Sequence, residues 1–77
     1  MPYIEEKLRE TALHSPQDAG ELNFALTKAV LKYLGDSPSY QDYNDVFGAI
    51  ECCKQEIYRR RLAVYEDAKI LVNGGVF

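Results

Sequence analysis

"YQDYNDVFGAIECCKQEIYRRRLAVYEDAKILV", residues 40–72, decides the fold. No proline interrupts it and Gly48 is its only glycine, so it reads as one helix of roughly 30 residues, some 45–50 Å long at 1.5 Å per residue. The "NGG" that follows is a helix terminator, with Val76 or Phe77 available to fold back on the helix end. A helix this long outruns the chain left to cover it, which implies a partner surface and, most simply, a second copy.

Placed around the helix at about 100° per residue from Ile50, the residues Tyr43, Val46, Phe47, Cys53, Ile57, Val64, Ala68 and Leu71 fall in one stripe, read as the core face. Lys54 and Arg61 lie inside that stripe, about 10 Å apart along the axis. Tyr58 and Tyr65 run along its edge, and Arg60 or Arg59 reaches it from the flank. Two readings of these cations stand side by side. In one they snorkel to water or pair with an acid such as Glu21 or Asp45 of another helix. In the other, Lys54, Tyr58, Arg60, Arg61 and Tyr65 line a cleft between helices or protomers. Such a cleft would hold phosphate by charge-assisted hydrogen bonds and a base by stacking.

Upstream, two shorter helices are readable. Ile4, Leu8 and Ala12 recur every four residues, predicting an amphipathic helix over about Tyr3–Leu13 that persists only if docked. Residues 1–19 are accordingly expected to be the loosely docked part of one helical domain spanning 1–77. Asp18 with Glu21 three residues on is a capping box, so a second helix starts near Asp18. Its apolar residues divide into a main face, Leu22, Leu26, Ala29, Val30 and Tyr33, and a second one, Phe24 and Leu31, predicting burial against more than one neighbour. Gly35 ends it as a left-handed cap, and Ser37 or Ser39 caps the long helix. The expected architecture is all-α: two shorter helices packed on one long C-terminal helix and completed by oligomerisation, the usual remedy for a 77-residue core with no staple.

Charge and chemistry narrow the classes. The formal net charge is −3, which argues against a general nucleic-acid binder. Four bases nevertheless crowd into residues 51–61 against two acids, enough for a compact anion. Two cysteines and no signal-peptide or membrane-spanning pattern read as a cytoplasmic protein with reduced thiols. Cys53 is expected to be buried, with Cys52 its neighbour about 100° away, which suits neither a disulfide nor a metal site. His14 stands in a polar turn without a second ligand at metal spacing. No nucleophile has a positioned base, so no enzyme, catalytic residue, metal or cofactor is expected.

The segments "GELN" (20–23), "YLGD" (33–36), "GAIECCKQEIYRR" (48–60), "YEDAKI" (65–70) and "NGGVF" (73–77) together resemble a family of small uncharacterised proteins of bacteriophages and bacteria. The resemblance covers most of residues 20–77 and implies a phage or prophage setting without an activity. It also implies an apolar residue in relatives where this chain has Arg61, and a proline where it has Val64. The first shifts weight from Arg61 to Lys54, Tyr58 and Arg60. The second implies a bend near residue 63. Chemistry and resemblance together lead to the expectation of a non-enzymatic, self-associating binding protein in the cytoplasm of a bacterial host. It would sequester a small anion, a nucleotide immune signal, in the Lys/Arg/Tyr cleft. The alternative is a helical interaction module that engages a host or phage protein through its exposed apolar faces.

Overall fold

The computed structural model describes residues 2–77 and is all-helical, with no strand among the described residues. A 3-10 turn, Glu6–Leu8, runs into α1 (Arg9–His14), followed by α2 (Ala19–Leu34). A long C-terminal helix of 34 residues follows, made of α3 (Tyr40–Ile57), a π-helical turn (Tyr58–Leu62) and α4 (Ala63–Asn73). Contacts divide the chain into two compact units, Met1–Tyr43 and Asn44–Phe77.

In the first unit α1 lies against α2, with the Ala12 side chain fully buried. Helical structure begins at Glu6 rather than at Tyr3. Glu5 is extended (ψ 139°) and offers no side-chain cap, and Tyr3 is exposed. A short helix without an N-cap forms only where docking supports it. The Asp18 carboxylate accepts the Glu21 N–H at 2.8 Å, and the Glu21 carboxylate reaches back to the Gln17 N–H at 3.1 Å. This is the predicted box shifted by one residue on its return arm. It satisfies donors that the first turn of α2 leaves unpaired.

The packing of α2 departs from expectation. Phe24, of its minor apolar face, is the buried aromatic, with the Arg9 guanidinium 5.7 Å from its ring centre. Leu22, Leu26 and Tyr33, of the main face, are about half exposed or more. With only six residues, α1 can cover one narrow face of a 16-residue helix. Gly35 ends α2 with its N–H donating to Leu31 O. Its φ of 69° and ψ of −159° lie outside the left-handed helical region, in a region essentially restricted to glycine.

The long helix is closed by local chemistry at both ends. Ser39 Oγ accepts the Asp42 N–H at 3.1 Å while Asp42 Oδ2 accepts the Ser39 N–H at 2.9 Å, a reciprocal box that settles the cap on Ser39. Gly74, at φ 85°, donates its N–H to Ile70 O. Val76 and Phe77 do not fold back; both are fully exposed. Val46 is buried, but from Phe47 to Phe77 no side chain is, and Ala63 alone is half-buried. Cys53, expected in a core, is exposed like Cys52. The stripe it belongs to is real in sequence, but nothing in its own unit covers it.

The π turn changes what shares a face. Ala63 N–H donates to Tyr58 O, five residues back rather than four. One extra residue in a turn rotates everything after it by about 100° relative to a uniform α-helix. Continuing the line of Ile50 and Ile57 therefore leads to Tyr65 and Lys69, with Val72 beside them, instead of to Val64, Ala68 and Leu71. The irregularity falls just before residue 63, near which a bend was expected.

Candidate functional site

The cations singled out on the long helix are held largely by glutamates of the same helix. Lys54 Nζ lies 3.5 Å from Glu51 Oε1, the oxygen that also accepts Gln55 Nε2 at 3.1 Å. The Gln55 hydrogen bond first, and the Lys54 charge second, hold the Glu51 carboxyl below the usual glutamate range. One turn on, the Glu56 carboxylate binds both Arg59, at 3.2 Å, and the Arg60 guanidinium. All these groups are at least half exposed, so solvent screens each pair and it adds little to stability. The Glu21 carboxylate instead accepts the Gln17 N–H.

Arg61 differs. Within the π turn it makes no hydrogen bond or ion pair with any described residue. Tyr58 and Tyr65 are 48% and 60% exposed, and the Lys69 ammonium sits 5.5 Å from the Tyr65 ring centre. Of the five expected site residues, Lys54 and Arg60 are thus anchored by Glu51 and Glu56. Arg61, Tyr58 and Tyr65 stand open to solvent. All five lie on one helix, and no second element of their unit stands over them. A cleft built on them needs an element from outside this unit.

Sequence reasoning passed over Glu51, Glu56 and Lys69, although each stands three or four residues from the group it holds. It also passed over an open groove on the first unit, floored by Leu13, Ala25, Ala29 and Leu31 and flanked by Lys28 and Lys32. Among the described residues, no group of three or more His, Cys, Asp or Glu side chains could hold a metal ion. No helix is long and apolar enough to cross a membrane. His14 is within 3.2 Å of Glu10 on the surface.

What the fold defines is a small all-helical protein dominated by one long, amphipathic, uncovered helix. It belongs to the family described as a domain of unknown function (DUF6899), whose model matches residues 1–76. No curated protein and no solved structure matches the chain.

Proposed function

We propose that this protein is a non-enzymatic, self-associating interaction module that works through its long C-terminal helix. The observation that carries the reading is the absence of any buried side chain from Phe47 to Phe77, although Ile50, Ile57, Leu62, Val64, Ile70 and Leu71 lie in that span. In an isolated chain such a helix would draw its stability from a few exposed ion pairs, which is too little for apolar residues spread around its circumference. Covering it with another helix supplies the missing burial. The setting we propose, on the resemblance of the sequence to small phage and bacterial proteins, is a phage or prophage one in the cytoplasm of the bacterial host, with a host or phage protein as the further partner.

Light scattering on the purified chain tests this directly: an assembly larger than one chain is expected, and Ile57→Glu or Leu62→Glu should reduce its mass and its helicity together. A fully helical monomer would sink the proposal.

A second reading, a nucleotide sequestered between protomers, draws support from Arg61, whose guanidinium lacks a partner among the described residues beside the exposed Tyr58 and Tyr65. A nucleotide present at 100 times its dissociation constant should add about 2.7 kcal/mol of stability. Lys54→Ala or Tyr58→Ala should remove that gain. If no nucleotide raises the melting temperature, this second reading falls and the interaction module stands.

A further inference from the structure

The charges of the long helix fall into two groups. Glu51, Lys54, Glu56, Arg59 and Arg60 satisfy one another along the helix. Arg61, Glu66 and Asp67 have no ion pair or hydrogen bond with any described residue. Arg61 precedes the bond between Ala63 and Val64 and Glu66 follows it at the matching distance, so this pair of charges is antisymmetric about that bond. A helix with this pattern is complementary to itself reversed. Laid parallel in register it would set Arg61 on Arg61 and Glu66 on Glu66, and like charges in apposition oppose association.

We propose that two copies of the long helix pair antiparallel about a two-fold axis near Ala63 and Val64, setting Arg61 of each chain against the partner's Glu66. The inference rests on the self-association reading and names its partner and register. The same operation places Tyr58 opposite the partner's Lys69, and it opposes no like charges in residues 54–73. Apolar groups match as well: Leu62 comes against the partner's Tyr65, and the two are 47% and 60% exposed in the single chain. The π turn serves this geometry by rotating Tyr65 and Lys69 onto the line of Ile50 and Ile57, so that both halves of the helix present one continuous side to the partner. The interface is isologous, and the same residues serve both subunits.

Charge exchange tests the register. Arg61→Glu alone and Glu66→Arg alone each create two repulsive contacts per dimer and should weaken self-association by about tenfold or more in sedimentation. An equimolar mixture of the two variants restores both pairs and should assemble close to wild type, as should the doubly substituted chain R61E/E66R. Both sites are exposed, and circular dichroism checks that the helix persists. In the antiparallel pair the Cys52–Cys53 steps of the two chains lie roughly 30 Å apart, so oxidised wild type should form no disulfide-linked dimer. A mixture no better than its components, preferential pairing of R61E with wild type, or a cross-link through the native cysteines would overturn the register while leaving self-association intact. A monomeric wild type would instead remove the self-association reading, and this inference with it.

Discussion

Glu51 and Lys54 face each other across 3.5 Å on the exposed side of the long helix, with Gln55 donating to the same carboxylate oxygen. Because these contacts favour the ionised form, the Glu51 carboxyl titrates below the ordinary glutamate value. A group depressed on folding contributes stability above its unfolded pKa and loses it as pH falls through the folded one. Carbon-detected NMR titration should therefore show Glu51 below the unfolded reference. Gln55→Ala and Lys54→Ala should each move it up. Equal titration in all three proteins would dismiss the contacts as incidental.

Gly48 makes a second expectation. A methyl group built on it meets nothing within 4 Å, and the residue sits in the middle of α3. Gly48→Ala should accordingly stabilise the protein by about 0.5–1 kcal/mol through helix propensity alone. Chemical denaturation measures this. A loss instead of a gain would show that a partner chain approaches the backbone there.

The turn between α2 and α3 supplies a contrast in cost. Gly35→Ala forces a side chain into a backbone region nearly reserved for glycine and should cost about 1–3 kcal/mol, even though nothing lies within 4 Å of the new methyl. Ser39→Ala removes one cap hydrogen bond and should cost about 1 kcal/mol. If Gly35→Ala is neutral in thermal denaturation, the turn relaxes and the strain argument is wrong.

What could be read from the residues was governed by how local its cause is. Asp18 with Glu21, Gly35, Ser39 and the terminal "NGG" act within four residues of their targets, so the limits of α2 and of the long helix were legible. The face that α2 buries was not, because it depends on where six residues of α1 dock. Phe24 is buried while Leu22 and Leu26 are left out. The π turn was illegible for another reason: nothing in "YRRRL" demands a five-residue hydrogen bond, and a uniform projection put Val64 and Leu71 where Tyr65 and Val72 belong. At the candidate site, Lys54, Tyr58, Arg60, Arg61 and Tyr65 were found as a group, but the glutamates holding two of them were sought on other helices. Spacing alone pointed to Glu51 and Glu56.

The turn at Tyr58–Leu62 also changes what a small genetic lesion means for this protein. Removing one residue from an ordinary helix twists its two halves out of phase. Here the chain already carries that extra residue, so a single deletion within Tyr58–Leu62 would regularise the backbone and leave Tyr65 and Lys69 on the line of Ile50 and Ile57, with both helices whole. The turn is thus the one point where the helix can lose a residue without re-aiming either half.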